Sequence, residues 1–243
     1  MKILQLNCWS ARLEKQVIDL INEERPDIVC LQEAISLEGS TMGIFAPIQV
    51  LQKKTGLNYS YFSPTLSANY MRRKADFGNA VLSKHSFSYT NTVFTGRTYI
   101  EDFDSTEDDY NIRNLQHITI ALENGETLHV LNHHGHHIHQ HKNGDAETLK
   151  QCRQIVDYIT PLKGKIILTG DFNLAPTSES IQQINAILTN LCVSHNLQTT
   201  RNELTPKNEV CDYIFINQDV YEKDFKVAQE IVSDHSALIL TFK

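Results

Sequence analysis

Short apolar runs that stop at an acid or an amide recur along this chain, and they constrain its fold more than any other feature. Ile3-Leu4-Gln5-Leu6 stops at Asn7, Val29-Cys30-Leu31-Gln32 at Glu33, and Ile166-Ile167-Leu168-Thr169-Gly170 at Asp171, with Asn173 two further on. Asp212 opens Tyr213-Ile214-Phe215-Ile216, and Ser233-Asp234-His235 opens Ala237-Leu238-Ile239-Leu240. Runs this short and apolar read as strands buried on both faces. Between them run helical periods. Leu13, Val17, Leu20 and Ile21 mark one that Arg25-Pro26-Asp27 ends, and Leu149, Cys152, Ile155, Val156 and Ile159 mark another.

Helices are expected near 12–25, 44–55, 145–160 and 178–188. Further strands are expected at 59–62, 78–83, 87–94, 115–122, 127–132, 165–169, 210–216, 225–228 and 237–242. Asn124-Gly125 supplies a hairpin turn between two of them. Hairpins argue against a purely parallel sheet, and the strands are too many for one comfortable sheet. The expected class is α+β, with two sheets packed face to face and helices outside. No linker, repeat or low-complexity tract divides the chain, so a single domain over 1–243 is expected.

Hydrophobic residues make up 41% of the chain, enough for a core, yet no window approaches eighteen uncharged apolar residues. The opening Met1-Lys2-Ile3-Leu4-Gln5-Leu6-Asn7 is too polar for a secretory segment. Five scattered cysteines without Cys-x-x-Cys spacing suggest free, buried thiols in a reducing compartment. A cytoplasmic monomer without membrane contact is expected.

Charge and histidine are both unevenly placed. The net charge of −7 is not the basic footprint of an obligate duplex-DNA binder, but six acids fall within 101–109, which reads as a loop too charged to pack. Seven of the eleven histidines lie between His129 and His141. Three readings of that tract stay open: a polar loop, substrate contact through His133 and His134, or a dedicated zinc site. Arg72-Arg73-Lys74 reads as a solvated loop or as a basic loop beside an anionic substrate cleft, and Trp9 as packing at a core or rim.

Carboxylates beside apolar strands are costly to desolvate unless a metal or cation offsets them. Hard oxygen ligands without thiolates point to Mg²⁺ or Mn²⁺. In order, Asn7-Cys8-Trp9, Leu31-Gln32-Glu33, Gly170-Asp171-Phe172-Asn173, Cys211-Asp212-Tyr213 and Ser233-Asp234-His235 resemble the endonuclease/exonuclease/phosphatase superfamily. That superfamily includes AP endonucleases, pancreatic-type deoxyribonucleases, neutral sphingomyelinases and inositol polyphosphate 5-phosphatases. Gly78-Asn79-Ala80-Val81-Leu82-Ser83-Lys84 is similar to its internal strand. The resemblance runs from Asn7 to His235 and implies a four-layer αββα sandwich.

It also implies roles. Glu33 would be the main Mg²⁺ (or Mn²⁺) ligand, with Asn7 and Asp234 close to the same site. Asp171 would orient and deprotonate the attacking water, Asn173 would hold the phosphate or that water, and His235 would donate to a phosphate oxygen. Asp212 would fix the His235 tautomer. His134 would protonate the leaving group or bind phosphate, although His133 before it and Gly135 after it depart from the usual pattern. His133, Arg113 and Arg201 would contact substrate.

The expected function is a divalent-metal-dependent phosphoesterase, a phosphodiesterase of nuclease type. Its alternatives are a small-molecule phosphatase or phosphodiesterase (nucleotide, sugar or inositol phosphate) and an inactive binding module. The partner is a phosphoester substrate, nucleic acid among the candidates, and the charge balance suits a small or single-stranded one. The joint presence of Asn7, Glu33, Asp171, Asn173, Asp234 and His235 argues against an inactive module.

Overall fold

A computed structural model describes residues 1–37, 45–70 and 73–243. In chain order it forms β1 (Lys2–Asn7), α1 (Glu14–Glu24), β2 (Ile28–Leu37), α2 (Ile48–Thr55), β3 (Tyr59–Tyr70) and β4 (Arg73–Ser83). β5 (Tyr89–Phe94), β6 (Asn114–Ala121), β7 (Thr127–His134), α3 (Ala146–Ile159) and β8 (Lys165–Asp171) follow. The chain continues through α4 (Glu179–Asn185), β9 (Thr189–Asn190), α5 (Leu191–Ser194), β10 (Asp212–Ile216), β11 (Glu222–Val227) and β12 (Leu238–Phe242).

The strands form two six-stranded sheets, ordered β11-β12-β1-β2-β4-β3 and β5-β6-β7-β8-β10-β9. Each has one parallel pair at its centre, β1 with β2 and β7 with β8, joined across α1 and α3. Val17, Leu20 and Ile21 of α1 and Leu51 of α2 pack on the outer face of the first sheet. Cys152, Ile155 and Ile159 of α3 and Ile181 and Ile184 of α4 pack on the second. The result is the four-layer αββα sandwich.

Strand alternation explains what lies between the sheets. Leu4, Leu6, Val29 and Leu31 belong to the outer cluster under α1 and α2, while Ile3, Ile28 and Cys30 belong to the cluster shared with the second sheet. Along this inner face the residues change from hydrocarbon to amide to site residue: Ile3, Gln5, Asn7 in β1, and Leu128, Val130, Asn132, His134 in β7. The amides form a hydrogen-bonded layer between the sheets. Gln5 Nε2 donates to Gln32 Oε1 (2.9 Å), Gln32 Nε2 to Asn132 Oδ1 (2.6 Å), and Asn132 Nδ2 to Gln116 Oε1 (3.1 Å).

Three expectations need correction. Arg73 and Lys74 are not loop residues but begin β4, paired with Tyr70 and Asn69, because β3 and β4 form a long hairpin. Arg72, like the first residue of the helix expected at 44–55, lies outside the described residues. β2 does not stop at Glu33 but runs on to Leu37 through a bulge. The acidic stretch 101–109 is a loop, yet it is docked: just before it Ile100 N–H donates to the Thr65 carbonyl (3.1 Å) and the Ile100 carbonyl accepts from Ser67 N–H (3.0 Å), Phe103 N–H donates to the Ser67 carbonyl (2.8 Å), and Lys74 pairs with Glu101. All five cysteines are buried and unpaired, and burial pushes each thiol up to about 12.

Candidate active site

The carboxyl ends of the two parallel pairs, where ligands of open parallel sheets collect, point to one side of the sandwich. A cleft of about 840 Å³ opens there, lined by Glu33, His134, Asp171, Asn173, Asp234 and His235 among others. Its residues arrive by distinct local devices. Glu33 sits in the β2 bulge, where the register against β4 shifts between Leu31 and Ala34, with φ +52°. The bulge re-aims the side chain that a regular strand would align with its neighbours. Asn7 ends β1 and bridges the sheets: its Nδ2 donates to Glu33 Oε1 (3.0 Å) and to Asp171 Oδ2 (3.1 Å), while Oδ1 accepts from Trp9 N–H (3.2 Å).

Asp171 ends β8 opposite His134 and Asp212. Gly170 before it has φ +151°, and a Cβ there would fall 1.9 Å from the His133 carbonyl oxygen, so only glycine lets β7 and β8 close. Gly135 follows the same logic, with a Cβ 2.4 Å from the Phe172 carbonyl oxygen. This accounts for the glycine that departs from the family pattern after His134. The following turn holds Asn173 at φ +56°. Its N–H donates to Asp171 Oδ1 (2.9 Å), its Nδ2 to the Gly135 carbonyl (3.3 Å), and its Oδ1 accepts from Lys142 Nζ (3.1 Å).

Asp212 and His235 form a buried pair, with Nδ1 of the imidazole 2.9 Å from Asp212 Oδ2. Asp212 also accepts from Thr200 Oγ1 (2.6 Å) and Gln5 Nε2 (3.2 Å). Asp171, Asp212 and His235 bring one ligand atom each within 4.8 Å of one another. With three donors already on it, the Asp212 carboxylate fits an orienting partner of the imidazole better than a metal ligand.

Electrostatics follow from the burial. Desolvation favours the neutral form of Asp171, but His235, Arg201 and the Asn7 amide outweigh it and hold the carboxyl well below its usual range. Burial likewise pulls the His235 imidazole down, and the Asp212 and Asp171 carboxylates overcome it, lifting the ring to about 8. Arg201 sits in close contact with His235 Nε2, and its own Nε has no partner. An imidazolium has no lone pair there for Arg201 to use. Carboxylates face both cations, Asp171 Oδ2 at 3.6 Å from His235 Nε2 and Asp234 Oδ2 at 3.6 Å from Arg201. His134 is held well below its ordinary value by burial and Arg113, and so is neutral.

The other sequence candidates divide. Arg113 lines the cleft, bonded to His134 Nδ1 (3.3 Å) and Asn111 Oδ1 (3.2 Å). Asp234 is 3.6 Å from Arg201. His133 points the other way along β7: it contacts the Asn114 carbonyl through Nδ1 (2.9 Å), packs on Phe172, and is 1% exposed. Alternation thus places His134, not His133, in the cleft. His137 and His139 also line it, with their rings 4.6 Å apart. Lys142 was not anticipated, since nothing in its sequence surroundings marks it; the loop after β7 delivers it by bonding its carbonyl to Ala175 N–H (2.8 Å).

The oxygen donors suit a hard divalent cation. Glu33 and Asp234 present carboxylates to the cleft, and the neighbouring sulfurs, Cys8 and Cys211, are buried thiols that burial pushes up to about 12. Glu33 and Asp234 would hold such an ion, which would offset charge building on a phosphoryl group.

Comparison with known proteins gives the family and the fold. The Endonuclease/Exonuclease/phosphatase family model matches residues 4–235, and the chain belongs to that family. Its members are hydrolases of phosphoesters, generally dependent on divalent metals. An endonuclease/exonuclease/phosphatase family protein from Leptotrichia buccalis shares the fold with 23% identity, a TM-score of 0.73, and coverage of 100% of this chain and 99% of its own. The human Nocturnin catalytic domain with bound sulfate (17% identity, TM-score 0.69, coverage 100% and 94%) has the same fold. So does the mannosyl-6-phosphatase of Bacteroides thetaiotaomicron (13% identity, TM-score 0.67, coverage 100% and 99%). No curated protein matches the chain in sequence.

Proposed function

We propose that this chain is a single-domain, Mg²⁺- or Mn²⁺-dependent phosphodiesterase acting on a small or single-stranded phosphoester in a reducing, cytoplasmic setting. The observation that carries the reading is the juxtaposition of Asp171, held by Asn7 and Asn173, with His235, held by Asp212. Phosphoester hydrolysis needs a water in line with the leaving oxygen and cations around the transferring phosphoryl group. His235 and Arg201 favour the Asp171 carboxylate, which orients the water and takes its proton as charge transfers in the transition state. Arg201 and His235 bind two non-bridging oxygens, and neutral His134, steadied by Arg113, faces the leaving side. Asn173 holds the water or phosphate, with Lys142 fixing its amide. A bound Mg²⁺ at Glu33 and Asp234 would supply further charge stabilisation.

A hydrolysis panel tests this: bis-nitrophenyl phosphate, nitrophenyl phosphate, and single- and double-stranded oligonucleotides, with and without Mg²⁺, Mn²⁺ and chelator. Metal-dependent cleavage of the diester is expected, falling about 10²–10⁴-fold in Asp171→Asn. Metal-independent turnover, or turnover unchanged in the variant, sinks the proposal.

A further inference from the structure

One end of the cleft is walled by rings. Trp9 and Phe45 line it together with Arg12, whose guanidinium lies 4.3 Å from the Trp9 ring centroid and 5.6 Å from that of Phe45. Arg12 is exposed, and no described carboxylate lies within ion-pair distance of it. Phe103 and Tyr110, with ring centroids 4.5 Å apart, line the same cleft with Asp108 and Asp109. The cations Arg201 and His235 are gathered around Asp171, while Arg113 faces the charges of Glu33, Asp171 and Asp109. Rings stacked with a guanidinium suit a flat heteroaromatic group.

The backbone under Trp9 is an independent observation. Trp9, Ser10 and Ala11 have φ of 48°, 55° and 50°, three consecutive non-glycine residues in the left-handed region. L-residues avoid it because Cβ crowds the next carbonyl, and such outliers persist only where their surroundings enforce them. Here the enforcing bonds come from the site itself. Cys8 N–H donates to the Gln32 carbonyl (3.0 Å), Ala11 N–H to the Cys8 carbonyl (2.7 Å), and Trp9 N–H to Asn7 Oδ1 (3.2 Å). The same Asn7 holds Glu33 and Asp171. The strained turn thus ties the position of an indole ring to that of the hydrolytic carboxylates.

We infer that Trp9, Arg12 and Phe45 form a ring-binding subsite that takes the base of a nucleotide whose phosphate is bound by Arg201 and His235. The inference rests on the phosphoesterase reading and names its substrate class. A guanidinium stacked on indole is a planar, cationic platform that holds a heteroaromatic ring by stacking, whatever the base.

Trp9 is the only tryptophan of the chain, so its emission reports this subsite directly. Asp171→Asn protein is titrated in Mg²⁺ with adenosine 5′-monophosphate, ribose 5-phosphate and phenyl phosphate. Adenosine 5′-monophosphate should quench the emission and bind about tenfold tighter than ribose 5-phosphate, with phenyl phosphate weaker than the nucleotide. Arg12→Ala, an exposed substitution, should narrow that gap. Equal affinities for the nucleotide and ribose 5-phosphate with unmoved emission would overturn the subsite. Phenyl phosphate binding as tightly as the nucleotide would overturn its assignment to a base. Failure of the phosphoesterase reading is a separate result, absence of metal-dependent turnover in the panel above, and leaves these affinities standing.

Discussion

At the scale of single residues, His235 carries the clearest consequence. Its imidazole is lifted to about 8 by Asp212 and Asp171 against the pull of burial. If the imidazolium is the form that binds phosphate, activity is full below that value and falls as pH rises through about 8. Asp212→Asn removes the largest raising influence, so the alkaline limb should move to lower pH and kcat should drop about 10²-fold, with metal affinity nearly unchanged. A pH–rate profile of both proteins, with Mn²⁺ binding followed separately, checks this. An alkaline limb that stays in place in the variant would exclude His235 as its source. The motif residues were legible one by one because each stands beside an apolar run. The partners that tune them were not: Thr200, Gln5 and Lys142 reach the site from 12, 207 and 31 residues away from the groups they touch.

The bulge at Glu33 shows what an element can do that its residues alone do not announce. A continuous apolar run into Gln32-Glu33 reads as a strand end, because the sequence carries no mark of a strand resuming at Ala34. The φ of +52° is the local cost of aiming a carboxylate into the cleft. A non-glycine residue in that region is disfavoured by roughly 1–2 kcal/mol, while glycine loses about 0.5–1 kcal/mol of chain entropy. Glu33→Gly should therefore keep or slightly raise stability, by up to about 1 kcal/mol, while losing the thermal shift that Mg²⁺ or Mn²⁺ gives the parent. Differential scanning calorimetry with and without metal reads both effects. A variant that melts lower yet keeps the metal shift would contradict both the strain and the ligand role. The long β3–β4 hairpin escaped the sequence for a related reason. Its outer half is polar and exposed at Arg73 and Lys74, and only pairing across the hairpin and the docked acidic loop makes it a strand.

Across the whole molecule, the two sheets are joined by hydrocarbon at one end and by amides beneath the cleft. Asn132 is the hinge of that layer. It accepts from Gln32, and its Nδ2 faces Gln116 Oε1 and the carbonyls of Leu31 (3.0 Å) and Ala80 (3.2 Å). Asn132→Leu, close in size, leaves these groups buried without partners at about 1–3 kcal/mol each, partly relieved by repacking. Denaturant titration should show a loss of about 3 kcal/mol. Turnover should fall as well, since Gln32 connects through Gln5 to Asp212. A loss below about 1 kcal/mol would mean that the layer is packing rather than a network. The two-sheet architecture was readable from hairpins and strand number, whereas this layer is visible only once Gln5, Gln32, Gln116 and Asn132 are brought face to face.

The five buried thiols give the sandwich a built-in record of its own opening. Cys8 and Cys30 belong to the first sheet and its exit, Cys152 and Cys192 to helices on the second, and Cys211 to the approach to β10. With each thiol pushed up to about 12 and shielded, alkylation at neutral pH waits for the surrounding segment to part from its neighbours. The order in which peptides acquire label under mild denaturant would date the separation of each layer, and ligand occupancy should delay Cys8 and Cys211, which flank the cleft, more than Cys152.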